Sequence, residues 1–233
     1  MSNAVKDDFL GLVSHELRTP VTTIFGNARL LRDRGERLGD AERQSMITDL
    51  AGESERLLGI IENLLTLTRV EAGVQVDLEP QVLSHVVRKS IESYRGRHPS
   101  RAIGLSVEPH YIIVEADRAH LEIILENLLS NADKYSPREL PVEVVVRSAG
   151  EEAHVIVRDR GIGLEESDAE QLFTPFYRSE TARARATGIG IGLTVCRRLV
   201  QLHGGRMWAR RRVGGGSEFG VALPLAPDPG AAA

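Results

Sequence analysis

A histidine, a glutamate and a threonine stand at His15, Glu16 and Thr19, followed at once by Pro20. The run around them carries a seven-residue apolar repeat, Leu10, Leu17, Ile24 and Leu31, flanked by Val13, Val21 and Ala28. It reads as one stripe of an amphipathic helix. At about 100° per residue, His15 lies roughly 165° from that stripe and so faces solvent. For a lone histidine an incidental surface position would be favoured, but these neighbours weaken that reading. An exposed neutral imidazole is a nucleophile near neutral pH, and a carboxylate accepting its other N–H fixes the tautomer and raises basicity. Thr19 shares the exposed face one turn on. Pro20 removes a backbone donor, which bends a helix and frees a carbonyl near Glu16. A zinc-protease motif, His-Glu-x-x-His, fails because Thr19 occupies the second histidine position and no cysteine is near.

A second group of residues suits nucleotide chemistry. Leu121, Ile124, Leu125, Leu128 and Ala132 form an apolar helical stripe, and Asn127, Asn131 and Lys134 cluster about 130° from it. Amide oxygens suit a hard divalent cation that keeps several waters, and the lysine supplies charge for phosphates. Asp159 follows a β-rich run and precedes Gly161 and Gly163, so its carboxylate emerges where a glycine turn lets a flat ring approach. Gly188, Gly190 and Gly192 lead into a helix whose free N–H groups favour a phosphate. No strand leads into these glycines, which disfavours dinucleotide binding, and neither a Walker lysine motif nor a His-Arg-Asp loop is present.

The elements that must position these groups fall into two regimes. Up to about Gly73 the chain reads as two helices, the second marked by Ile47, Leu50, Leu57, Ile61 and Leu64. The break carries Gly35 and Gly39 as stop signals and Asp40 as the expected N-cap. One hairpin cannot bury both stripes, so a homodimeric four-helix bundle is expected. From about Gln75 strands are expected near 76–79, 103–107, 142–148, 154–159, 206–212 and 219–223. Helices are expected over 82–95, opened by Pro80, and over 118–134 and 191–203. This is an α+β two-layer sandwich, with 226–233 expected to fray.

Composition sets outer limits. The 233 residues suffice for one large domain or two small ones, and 29 basic against 33 acidic residues offer no global field for nucleic acid. The one cysteine, Cys196, reads as a small core residue and suits a reducing compartment, so a cytoplasmic location is expected. No apolar stretch reaches the ~20 residues of a membrane helix. The opening Met-Ser-Asn-Ala reads as appended residues, and the whole as a piece of a longer protein.

Residues 9–20, with His15, resemble the H box of sensor histidine kinases of two-component systems. Glu126 to Ser136 resembles that family's N box and Asp159-Arg160-Gly161-Ile162-Gly163 its G1 box. Phe173 to Arg178 is similar to its F box and Gly188 to Leu193 to its G2 box, all in the family's order. The resemblance spans residues 5–225. It implies a dimerisation and phosphoacceptor hairpin (1–73), a catalytic ATP-binding domain of the gyrase, chaperone, kinase and mismatch-repair type (74–226), and a tail (227–233).

By that resemblance His15 accepts a phosphoryl group from ATP, with Glu16 orienting the ring, and passes it to an aspartate of a response-regulator receiver domain. Thr19 would position a water for the reverse dephosphorylation. Asn131 would ligate Mg²⁺, Asn127 would act at the phosphate end, and Lys134 and Tyr135 would line the nucleotide. Asp159, Gly161 and Gly163 would receive adenine. Gly188, Gly190, Gly192 and Leu193 would meet the phosphates, as would Arg178 with Arg183 or Arg185 from a mobile lid, 179–187. Two rivals stand beside it. An ATPase or clamp would need a glutamate at position 127, which is asparagine, although Glu126 is adjacent; a dimeric nucleotide-binding scaffold would leave the filled motif positions unused. His85, His98, His110, His120, His154 and His203 lack metal spacing, and Arg210 to Arg212 reads as a solvated edge.

Overall fold

The computed structural model describes residues 3–73, 76–108, 111–186 and 188–227, with side chains from residue 11 onward. His110, Thr187, the side chain of Leu10 and the tail beyond 227 lie outside the described residues. The chain divides into two compact units, Met1–Arg69 and Val70–Ala233.

The first unit is a helical hairpin of α1 (Asn3–Arg34) and α2 (Asp40–Glu71), joined through a 3₁₀ turn at Gly35–Arg37. Asp40 is not the cap. The Gly39 carbonyl accepts from Arg43 N–H at 3.0 Å, which makes Gly39 the capping residue, and the Asp40 carboxylate pairs with Arg43 at 2.6 Å. Helix α1 runs unbroken through Pro20. The hydroxyls of Thr19, Thr22 and Thr23 turn back onto the carbonyls of His15, Arg18 and Thr19. The stripes are only partly covered, with Val21 48% and Ile47 46% exposed, and the apolar residues beside them, Phe25, Leu58 and Leu65, are more than half exposed.

In the second unit a five-stranded mixed sheet of order β2-β4-β5-β7-β6 is built from β2 (Ile103–Glu108), β4 (Val142–Ala149), β5 (Glu152–Arg158), β6 (Arg206–Arg211) and β7 (Ser217–Pro224). Only β2 and β4 run parallel; the other pairs are antiparallel. Register places Val144 opposite Val157, Val157 opposite Phe219 and Phe219 opposite Ala209, giving one continuous apolar row. The helices α3 (Leu83–Arg97), α4 (Arg118–Tyr135) and α6 (Gly192–Leu202) bury their own stripes, Val87 and Ile91, Leu121 to Ala132, and Val195 to Val200. Cys196 lies fully inside this core, as expected.

Three expectations are corrected. The first strand is β1 (Glu79–Val82) rather than 76–79, and Pro80 lies within it, so α3 opens at Leu83. Its partner β3 (Ile113–Ala116) escaped the sequence reading; four residues beside a helix cap give too short an alternation to register. Together they form a separate two-stranded ribbon. Third, the lid segment holds a short helix, α5 (Glu180–Arg185), capped by the Ser179 hydroxyl.

Candidate functional site

Each unit carries its own part of the chemistry. On α1, His15 is exposed, as the helical angle required, and its ring makes no hydrogen bond among the described residues. Glu16 does not hold that ring. Its carboxylate lies 3.0 Å from Arg56 on α2, with both side chains largely buried, and Arg56 also reaches Glu53 at 3.4 Å. Opposite charge across the hairpin outcompetes a neighbouring imidazole that side-chain direction carries about 100° around the helix. The Thr19 hydroxyl donates to the His15 carbonyl at 3.2 Å, so it sits on the same face one turn on.

The second unit gathers its motif residues around the C-terminal half of α4. Asp159, at the end of β5, is 2% exposed. Its Oδ1 accepts the Gly161 N–H at 2.7 Å and the Ser217 N–H at 3.1 Å, leaving Oδ2 outside these amide bonds. Burial pushes its carboxyl above the ordinary range, opposed by those two amides, by the Ser217 side chain and by Arg212. The turn that follows is pressed against α4: a Cβ on Gly161 would sit 2.0 Å from the Tyr135 carbonyl oxygen, which also accepts from Ile162 N–H at 3.3 Å. Gly163 is left-handed at φ 74°.

Glycines fix the other wall as well. A Cβ on Gly192 would meet Asn127 Oδ1 at 2.4 Å, so the first turn of α6 lies directly on the polar face of α4. Asn127 itself donates to the Ile123 carbonyl at 3.0 Å. Gly190, at φ 75°, allows its carbonyl to accept from Phe176 N–H at 3.0 Å; Phe176, at φ 68°, is the one non-glycine described residue held at positive φ. Asn131, one turn beyond Asn127, is half-buried and its amide makes no hydrogen bond among the described residues. Lys134 is exposed and Tyr135 half-buried at the helix end.

Two expected roles change. Arg178 is spent on the lid's own backbone, donating to the carbonyls of Gly188 at 3.1 Å, Ala182 at 2.8 Å and Ala186. A six-residue helix leaves its last carbonyls unsatisfied, and a nearby guanidinium supplies the donors they lack. Arg183 and Arg185 are exposed on α5. Arg212 is no solvated edge. It grips both oxygens of Glu143 at 2.9 and 3.0 Å and lies beside the Asp159 carbonyl, while Arg210 pairs with buried Glu218 at 2.7 Å. Glu143, in turn, is held below the usual carboxylate range by Arg212. Sequence reasoning missed Arg212, Glu143, Gly216 and Ser217. The run Gly214-Gly215-Gly216 was the available signal, because a Cβ on Gly216 would strike the Asp159 carbonyl at 2.1 Å.

Glu126, the acid adjacent to Asn127, forks with Arg97 at 2.6 and 3.0 Å. No cluster of three metal-binding side chains occurs among the described residues, and no described helix is long and apolar enough to cross a membrane.

Comparison with known proteins agrees with both units. Residues 5–73 match the His Kinase A (phospho-acceptor) domain, and residues 116–227 match the histidine kinase-, DNA gyrase B- and HSP90-like ATPase family. The circadian input-output histidine kinase CikA of Synechococcus elongatus is 35% identical over 230 residues, covering 96% of this chain and 30% of that protein. The sensor-like histidine kinase SenX3 of Mycolicibacterium smegmatis is 32% identical over 231 residues, 97% of this chain and 59% of that one. The chain thus spans about a third of the first of these relatives and three fifths of the second. The structure of full-length ShkA in complex with AMPPNP superposes with a TM-score of 0.66 at 25% identity, covering 95% of this chain and 46% of that one. With a phosphoacceptor hairpin and an ATPase-type sheet following one another, the chain belongs to the sensor histidine kinases.

Proposed function

We propose that this chain phosphorylates its own His15 from ATP and passes the phosphoryl group to an aspartate of a response-regulator receiver domain. The observation that carries this reading is a solvent-facing His15 within a phosphoacceptor-family helix, joined to an Asp159–glycine cradle within an ATPase-family sheet. Residues 1–73 form the dimerisation and phosphotransfer hairpin, 74–226 the nucleotide domain and 227–233 a tail. The half-covered Val21, Phe25, Leu58 and Leu65 supply the apolar area for a homodimer. ATP as the phosphoryl donor and the single cysteine support a cytoplasmic location.

Adenine's amino group donates to Asp159, and Gly161 and Gly163 leave room for the ring. The N–H groups of Gly192 and Leu193 at the head of α6 receive phosphate oxygens, with Gly188 and Gly190 shaping the approach and Lys134 adding charge. Tyr135 lines the base. The uncommitted Asn131 amide beside Asn127 fits Mg²⁺, a hard ion content with few protein oxygens. That ion would neutralise phosphate charge when bound. A ring nitrogen of His15 attacks the γ-phosphorus in line. The N–P bond forms as the bond to the bridging oxygen breaks, and ADP leaves. Glu16, released from Arg56, accepts the proton from the second ring nitrogen. Thr19, turned away from the His15 carbonyl, positions water for dephosphorylation of the regulator; full phosphatase activity in Thr19→Ala refutes that role.

Incubation with γ-labelled ATP tests the whole. Acid-labile, base-stable label on the chain that disappears in His15→Gln supports the kinase. Free phosphate without protein label supports an ATPase, and neither product supports a scaffold. The Arg97 fork on Glu126 disfavours the ATPase.

A further inference from the structure

We infer that Arg101, in the loop between α3 and β2, is a positioning residue that sets the nucleotide site by holding the last turn of α4. The inference rests on the nucleotide reading of Asp159, Gly161 and Asn131. Arg101 is 3% exposed and every one of its N–H groups is committed. Its Nε donates to Asp133 Oδ1 at 2.5 Å. One terminal nitrogen donates to the carbonyls of Pro137 at 2.8 Å and Leu140 at 3.0 Å, the other to those of Asp133 at 3.0 Å and Ser136 at 3.1 Å. A guanidinium has five donors in a rigid fork, and this one is saturated by the end of α4 and the loop that follows it.

That end needs such a partner. An α-helix leaves its last carbonyls unpaired, and the usual remedy is a glycine in the left-handed region just past the end. Here the cap residue is Ser136 in extended conformation, φ −110° and ψ 143°, followed by Pro137. Arg101 supplies a donor to the Asp133 carbonyl of the last turn and others to the cap residue Ser136 and to the loop carbonyls of Pro137 and Leu140, and its charge complements the negative pole of α4. The second carboxylate oxygen of Asp133 is taken by the Tyr94 hydroxyl at 3.2 Å, so the whole turn is tied to α3.

One carbonyl of this turn is left for another task. Between the captured carbonyls of Asp133 and Ser136, the Tyr135 carbonyl accepts from Ile162 N–H and packs where Gly161 has no side chain. The helix end is therefore gripped on two sides, by Arg101 on one and by the Asp159–Gly161 turn on the other. Asn131 and Lys134 ride on the same final turns. Releasing Arg101 frees the helix end to rotate, which moves the anchor of the adenine turn and the amide at Asn131 together.

The test uses the full chain. Arg101→Lys keeps the charge but loses the planar fork, and Arg101→Gln loses both. ADP affinity is measured by calorimetry well below the melting temperature, with hydrogen exchange of the Ile162 amide followed in parallel. Val87→Ala, in the α3 core, serves as a control of general destabilisation. Both Arg101 variants are expected to weaken ADP binding about tenfold and to speed Ile162 exchange, while Val87→Ala binds ADP as the parent chain does. Should the Arg101 variants fail to fold, Asp133→Asn carries the same expectation. ADP affinity within about twofold of the parent overturns the proposal when Asp159→Asn abolishes binding. A parent chain that binds no ADP overturns the site reading and this proposal with it.

Discussion

Gly161→Ala isolates the contact on which the adenine turn rests. Gly161 is absent from the glycines held at positive φ, so alanine suffers no backbone penalty there, and its entropic effect on the unfolded chain favours folding by about 0.4–1 kcal/mol. Any loss must come from the added methyl. That methyl would lie 2.0 Å from the Tyr135 carbonyl oxygen and 2.6 Å from its carbon, whereas ordinary contact begins at 3.4 Å. Either the turn or the end of α4 must therefore move by the 1.4 Å difference to restore ordinary contact, and both are backbone. Overpacking of this kind costs about 1–3 kcal/mol, and loss of the Ile162–Tyr135 hydrogen bond about 1 kcal/mol more. The net is roughly 1–4 kcal/mol, a fall of about 3–15 °C in melting temperature for a unit of this size. A shift above 1 Å at the base site lowers autophosphorylation about 100-fold. Thermal melting and γ-labelled ATP incorporation check both. A Gly161→Ala chain with the parent's melting temperature and labelling rate would refute the packing argument.

Asp159→Asn separates stability from binding. Because burial raises the folded carboxyl, the stability attached to that group is present at acidic pH and is lost as pH rises through its raised value. The variant is expected to melt no lower than the parent at pH 7, with the advantage vanishing at low pH, yet to lose ADP binding in calorimetry. Glu152 titrates in the opposite sense. Held at about 2 by Arg206 and His154, it contributes stability above the ordinary glutamate range that is lost as pH falls towards 2. Arg206→Gln should flatten the acid side of a melting-temperature profile. The Cys196 thiol, buried and pushed well above its ordinary range by desolvation, should resist a thiol reagent at pH 8 in the folded chain and react once the chain is unfolded in denaturant.

Motif residues and helices were legible in the sequence because their signals are local. The face of His15 follows from 3.6 residues per turn, and the stripe from Leu121 to Ala132 lies buried as its spacing requires. Gly192 could be singled out as a phosphate-loop glycine, but its reason differs: the α6 backbone must pass within touching distance of Asn127, 65 positions away. Charge partners were not legible. Glu16 was expected to serve the neighbouring ring and meets Arg56 instead; Arg178 was expected on a phosphate and meets the lid's own carbonyls. A long flexible cation or carboxylate takes whichever opposite charge or bare carbonyl the fold brings within about 3 Å, and adjacency in sequence says little about that choice.

By itself the sequence determined the two regimes, the exposed histidine, the polar face of α4 and the glycine-flanked aspartate, since each is set by periodicity or by a few consecutive residues. Tertiary structure alone decided which groups remain available for chemistry. Asn131 is left uncommitted while Glu126 is tied to Arg97, and the end of α4 is capped by an arginine from the loop after another helix. Those outcomes depend on hydrogen bonds between residues 29 to 39 positions apart, whose partners come within reach only after the helices have packed on the sheet.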